Sequence, residues 1–217
     1  EGYEQRVTKN DRLYLLVKAS RDVTFSDGHH ELENINMAVY PPEGDTPDQI
    51  SAARAIFYPE SNVLSFMGNV KIETKEKLKV NTEALWFDQN SGVAQTDSPV
   101  AFERENVSGT STGAQVEQKT KRLGLRSNVQ LTIAPGQAAK SAKRARPVTI
   151  KAAQCIFDQQ WMVLAFTGGV TVEQEADILR GDNVTAVINE QKHLQRAEIR
   201  GNSYMRVMDP GRAAEVH

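Results

Sequence analysis

Apolar and polar residues alternate through most of the chain. In "VKIETKEKLKVNT", Val70, Ile72 and Thr74 alternate with Lys71 and Glu73; after a charged turn, Leu78, Val80 and Thr82 alternate with Lys79 and Asn81. A spacing of two puts one set of side chains on a wet face and the other on a dry one, so the segment reads as two strands. "VTFSDGHHELENINMAVY" reads as a hairpin about Ser26-Asp27-Gly28, because Asp-Gly tolerates the positive φ of a tight turn. The same alternation returns in "VQLTI", "VTVEQ" and "YMRVM". Turn residues cluster at Tyr58-Pro59-Glu60-Ser61-Asn62, Asn90-Ser91-Gly92, Ser98-Pro99 and Arg180-Gly181-Asp182-Asn183. "TPDQISAARAIF" comes nearest to helical spacing, but its counterpart "PVTIKAAQCIF" carries β-branched residues and argues for strand. The expected class is all-β.

Two stretches repeat. Ile50–Glu73 and Ile150–Glu173 agree at 11 of 24 positions, including "VLSFMGNV" against "VLAFTGGV", where average composition gives roughly one or two matches. A weaker copy, "LGLRSNVQLTI", lies between them, and "LENINMAVY" reads as a worn fourth. Such copies stack, each burying an apolar face it cannot bury alone. Gly68 interrupts the apolar run between Leu64-Phe66 and Val70-Ile72. It marks either a corner, where a strand passes from one sheet to the opposing one, or a plain hairpin turn at Met67–Val70.

Composition narrows the function by subtraction. With 26 Lys+Arg against 28 Asp+Glu in 217 residues, nothing points to a nucleic-acid surface. The one cysteine, Cys155, sits in "AAQCIF" and reads as a small buried side chain. Residues 134–147, "APGQAAKSAKRARP", form a linker or long loop with a basic cluster at Lys140, Lys143, Arg144 and Arg146. The cluster reads as solvated, with contact to anionic headgroups or an acidic partner as the alternative. No run of eighteen apolar residues is present, and the chain starts at Glu1 rather than Met, so an N-terminal segment is expected to have been removed. The histidines His29, His30, His193 and His217 lack the spacing of a zinc site, and no P-loop, GxGxxG or GxSxG motif occurs. Asp88 with Asp97, or Asp177 with Asp182, are the carboxylate pairs a glycosidase needs, yet they sit at turns that favour Asp for its own reasons. Trp86 and Trp161 are candidate sugar platforms, but packing or covering a sheet edge explains each of them better, and aromatics are scarce at 6%. The expectation is a protein that is not an enzyme and holds no cofactor or metal.

What remains is an aliphatic strand face in an all-β repeat, which suits an acyl chain. About 0.8 kcal/mol per buried methylene gives a dozen carbons on the order of 10 kcal/mol before ordering costs.

Residues 50–102, from "ISAARAIF" through "GNV", "KVNTEALWFD" and "TDSPV", resemble the periplasmic lipopolysaccharide-transport family of LptC and the related LptA, or OstA-like, domains. "TIKAAQCIFDQQWMVLAFTGGVTVEQEADILRGDNV" is similar to the LptA-like unit again, and the likeness covers most of 13–207. The resemblance implies an elongated, twisted β-jelly roll of tandem strand repeats, with antiparallel sheets facing each other. Residues 1–133 would form LptC-like repeats, 134–147 the linker, and 148–217 a second LptA-like unit continuing the stack. The implied function is non-enzymatic transport of lipopolysaccharide acyl chains, held in an apolar β-trough and passed across the periplasm toward the outer membrane. The implied partners are lipopolysaccharide or a related lipid, the inner-membrane transporter and LptA-like bridge proteins by strand-edge contact, with head-to-tail self-association. Members like LptC usually carry an N-terminal transmembrane anchor, and this chain is expected to begin after it. The inward face is expected at Ala53, Ala55, Phe57, Leu64, Phe66, Val70, Ile72, Val80 and Leu85 in the first copy. In the second it is expected at Phe157, Leu164, Phe166, Val170, Val172 and Ile178. A groove and a dry core share one alphabet, so these residues alone do not separate them. A carbohydrate-binding or adhesive β-repeat is the rival reading, and a β-solenoid enzyme with converging carboxylates the next.

Overall fold

The computed structural model describes residues 2–9, 11–41, 44–135, 146–189, 194–209 and 212–216. Every regular element among them is a β-strand, and the chain divides into two compact units, residues 1–105 and 106–217. In the first unit the strands are β1 (Tyr3–Lys9), β2 (Arg12–Ala19), β3 (Arg21–Thr24), β4 (His30–Val39), β5 (Asp48–Tyr58), β6 (Val63–Glu73), β7 (Lys79–Asp88) and β8 (Val93–Arg104). β1 pairs with β2, β2 and β3 lie end to end along β4, and β4 to β8 follow as an antiparallel meander.

The second unit holds β9 (Val107–Glu117), β10 (Arg122–Ile133), β11 (Val148–Ala152), β12 (Gln154–Asp158), β13 (Val163–Gln174), β14 (Asp177–Ile188), β15 (Leu194–Arg200), β16 (Tyr204–Asp209) and β17 (Arg212–Val216). β11 and β12 lie end to end between β10 and β13, and β15 and β16 do the same along β14. "TPDQISAARAIF" is strand, as its repeat partner indicates.

The repeated glycine is a corner. β6 runs unbroken from Val63 to Glu73, so no hairpin turns at Met67–Val70. Its ladder slips between Met67 and Val70, where Gly68 (φ 76°) and Asn69 (φ 50°) both take left-handed conformations. A bulge of this kind bends the strand. Phe66 before it and Val70 after it are both wholly inaccessible, so side chains from the two arms pool in one core. The break recurs on each neighbour: at Asn34 (φ 49°) in β4, between Ser51 and Arg54 in β5, and between Thr82 and Trp86 in β7. In the second unit it falls at Asn128 (φ 51°) in β10 and at Gly168-Gly169 (φ 82° and 76°) in β13, where Ala153 separates β11 from β12.

Two turn assignments need correction for the same reason. Ser98-Pro99 and Arg180–Asn183 lie inside β8 and β14, not between strands. Proline lacks the N–H a continuous ladder uses, so it suits a level where the ladder is already broken. There the Thr82 hydroxyl donates to the Pro99 carbonyl at 2.9 Å, and the Ser111 hydroxyl to the Gly113 carbonyl at 3.1 Å. These buried hydroxyls satisfy carbonyls that the sheet leaves over.

Candidate functional site: an inward apolar lane

Directly opposed residues of antiparallel strands share a face, so the registers define rows of side chains. In the first unit one row is Phe57, Leu64, Phe87 and Ala94, and the next is Leu32, Ala55, Phe66 and Leu85. Beyond the corner come Val70, Thr82 and Val100, then Met37, Ile50, Ile72, Val80 and Phe102. Exposure grades along this lane. Ala55, Phe66 and Val70 are at 0%, and Leu64 and Leu85 at 8%, while Phe57, Ile72 and Val80 at the two ends are half-buried.

The second unit repeats the plan with Leu123, Phe157, Leu164 and Ala186, then Leu125, Cys155, Phe166 and Val184. Past the corner stand Val129 with Ala152, and then Leu131, Ile150, Val172 and Leu179. Phe166 and Val170 are buried; Phe157, Leu164 and Val172 are half-buried.

Two expected lane residues fall elsewhere. Ala53 is exposed; the bulge in β5 turns Ala52 inward in its place, buried and opposite Ile35. Ile178 lies opposite Glu173, on the other face from Val172, and Leu179 takes the inward position. The cause is turn length. Ile72 faces Val80 across the five-residue turn 74–78, whereas Val172 faces Leu179 across the two-residue turn 175–176. A one-residue slip exchanges the two faces of a strand. Leu32, Ile35 and Met37 were missed because Asn34 breaks the spacing of "LENINM", and Val17 in β2 was missed as well, while the weak third copy did point to Val129.

Cys155 fills the lane position that Ala55 fills in the first copy. It is buried, and burial pushes its thiol up to about 12. Cys155→Ala is therefore expected to stay within about 1 kcal/mol of the parent, and the native thiol to resist thiol reagents. The pH dependence follows in sign. The unfolded chain releases the thiol proton in the ordinary range while the fold retains it, so stability is intact below about pH 9 and declines toward pH 12. The slope approaches ~1.4 kcal/mol per pH unit. Denaturant midpoints measured for parent and Cys155→Ala across that window check this, since only the parent should show that component.

Among the described residues, neither carboxylate pair closes to glycosidase spacing. Asp88 accepts the Asn90 and Ser91 amides at its turn; Asp97 lies four residues beyond Val93, the partner of Asp88, or roughly 13 Å along the strand. Asp177 accepts the Met208 amide, and Asp182, five residues on, is held by the Asn202 side chain. Glycosidase pairs stand closer. Among the described residues no three His, Cys, Asp or Glu side chains cluster as a metal would need. His193, His217, Lys140, Lys143 and Arg144 lie outside the described residues; Arg146 pairs with Glu175 at 2.6 Å. Trp86 is half-buried and Trp161 is 70% exposed on its turn.

The family model "Lipopolysaccharide-assembly, LptC-related" matches residues 5–134, and the model "LptA/(LptD N-terminal domain) LPS transport protein" matches residues 149–215. No curated protein matches the chain. Among solved structures it is similar to LptH, the LptA homologous periplasmic component of the conserved lipopolysaccharide transport device from Pseudomonas aeruginosa. That likeness has 13% identity and a TM-score of 0.33, and covers 78% of this chain and 100% of the other. With bent-strand repeats along its length and a family match over more than half of it, the chain belongs to the LptC-related lipopolysaccharide-assembly family.

Proposed function

We propose that this protein is a non-enzymatic carrier whose inward lane holds lipopolysaccharide acyl chains and hands them across the periplasm toward the outer membrane. The observation that carries the reading is the graded lane. In both units, at matching positions of the repeat, the apolar rows run from an inaccessible corner to ends where most side chains are half-buried, with Leu64, Met37 and Leu131 staying buried. A lane closed only at its middle admits hydrocarbon at its ends, and each methylene taken up gains about 0.8 kcal/mol. Family membership supports the periplasmic setting and lipopolysaccharide as cargo. A division into LptC-like repeats over 1–133, a linker at 134–147 and an LptA-like unit over 148–217 is supported by where the two family matches end and begin. The inner-membrane transporter and LptA-like bridge proteins would meet the chain through its unpaired strand edges.

Binding of dansyl-labelled undecanoic acid tests the carrier. The account expects a saturable rise in emission that lipopolysaccharide competes away. Phe57→Asp and Val80→Asp, both at the half-buried ends, should weaken it while far-ultraviolet circular dichroism stays unchanged. Absence of saturable binding, or binding indifferent to both substitutions, contradicts it. The exposed Trp161 favours a second reading, a glycan platform. Competition by delipidated oligosaccharide, lost in Trp161→Ala, would select that reading.

A further inference from the structure

The first unit ends in a sheet edge with an unusual inward residue. β3 pairs on one side with β4, and among the described residues no strand pairs with its other side. Asp22 stands opposite Leu32 and Thr24 opposite His30, so both share the inward face; Leu32 is buried there, and His30 faces Phe57. An edge strand thus aims a carboxylate into the apolar lane. Its side chain is 16% exposed, and His30 Nδ1 lies 3.1 Å from Asp22 Oδ1 and 3.3 Å from Thr24 Oγ1. Both contacts fall on one ring nitrogen, so the group does not form the relay of an activated nucleophile. Burial, and then the charge of Asp22, push the Tyr3 phenol of β1 upward.

The second unit also ends in an open edge. β15 pairs only with β14 among the described residues. Its inward positions are Ala197, opposite Ala186, and Ile199, opposite Val184. Its charged residues Arg196, Glu198 and Arg200 lie on the other face, where both arginines pair with Glu198.

We propose that Asp22 selects the strand that docks on the β3 edge, admitting a partner with Lys or Arg at the facing inward position and rejecting a second copy of this chain. The selection rests on the reading that bridge partners meet at strand edges. Strand addition brings facing side chains within about 5 Å. A second copy docking β15 there would set Ala197 or Ile199 against Asp22, stripping the carboxylate of water without supplying charge, which is costly. Inward charges on edge strands are a known defence against edge-to-edge pairing. A cationic residue at that position turns the penalty into a buried, hydrogen-bonded pair.

The test is self-association by sedimentation at pH 8. The parent should remain monomeric at micromolar concentration. Asp22→Asn, which keeps a hydrogen-bonding partner for His30, and at least one of Ala197→Arg and Ile199→Arg should each tighten association by about tenfold or more. Combining Asp22→Asn with the active arginine variant should cancel the arginine's gain. In a Cys155→Ala background, Val23→Cys and Glu198→Cys should form an intermolecular disulfide only in the variants that associate. A parent that already associates and cross-links at this contact overturns the proposal, as does failure of either Asp22→Asn or both arginine variants to tighten it. Dansyl-acyl binding by Asp22→Asn reads the carrier function separately, because that substitution removes none of the lane's apolar side chains.

Discussion

Phe66→Ala is expected to lower the thermal midpoint of the first unit by roughly 15 °C or more, the largest effect of any single lane truncation there. Phe66 is wholly inaccessible, seated in register between Ala55 and Leu85 and followed across the corner by Val70 at the same burial. Removing a buried phenylalanine ring costs about 3–5 kcal/mol in transfer and cavity terms. For a unit of about a hundred residues each kcal/mol moves the midpoint by about 4–8 °C. Phe57→Ala, one row nearer the end and half-buried, should cost about half as much. Scanning calorimetry of the two variants distinguishes a lane sealed at its centre from one equally open throughout, for which the two costs would match.

Gly168→Ala is expected to destabilise the second unit by about 3 kcal/mol, from two separable causes. An added Cβ would stand 2.5 Å from the Ala153 Cβ, and the backbone there has φ +82°. Ala153 carries no flexible side chain that could swing aside, so the strands themselves would have to part. Gly169 has φ +76° but nothing within 4 Å of a new Cβ, so Gly169→Ala should lose only the conformational share, about 1–2 kcal/mol. Gly168→Ala combined with Ala153→Gly should return to the Gly169→Ala level. Chemical denaturation of the three variants checks the order; equal losses in Gly168→Ala and Gly169→Ala would remove the close approach from the account. The first copy carries the same device in milder form: Gly68 has φ +76°, and an added Cβ there would stand 3.1 Å from the Ala53 Cβ.

Much of this was legible before any coordinates. Alternation of period two named the strands, and the duplicated "VLSFMGNV" and "VLAFTGGV" placed Phe66, Val70, Phe166 and Val170 on one buried face. What stayed hidden depends on register. Local alternation cannot show that a bulge turns Ala52 inward in place of Ala53, because that is decided by the neighbouring strand's Gly68-Asn69. Aligning copies at a fixed offset likewise misplaces Ile178, because the turn after β13 is shorter than the turn after β6. Ser98-Pro99 looks like a turn because local composition does not distinguish a chain reversal from a corner. The inward aim of Asp22 was invisible for a related reason: only pairing with Leu32 reveals which face a four-residue strand turns toward the core.

Whether hydrocarbon reaches the lane at its ends is decided by site-specific photo-crosslinking. A benzophenone amino acid is placed in turn at Phe57, Val80 and Phe157, with Trp161 as an exposed control, and the folded protein is irradiated with lipopolysaccharide. Lipid adducts are expected at the three lane positions and none at Trp161. A folded protein that yields no adduct at any lane position, or as much at Trp161 as in the lane, contradicts it.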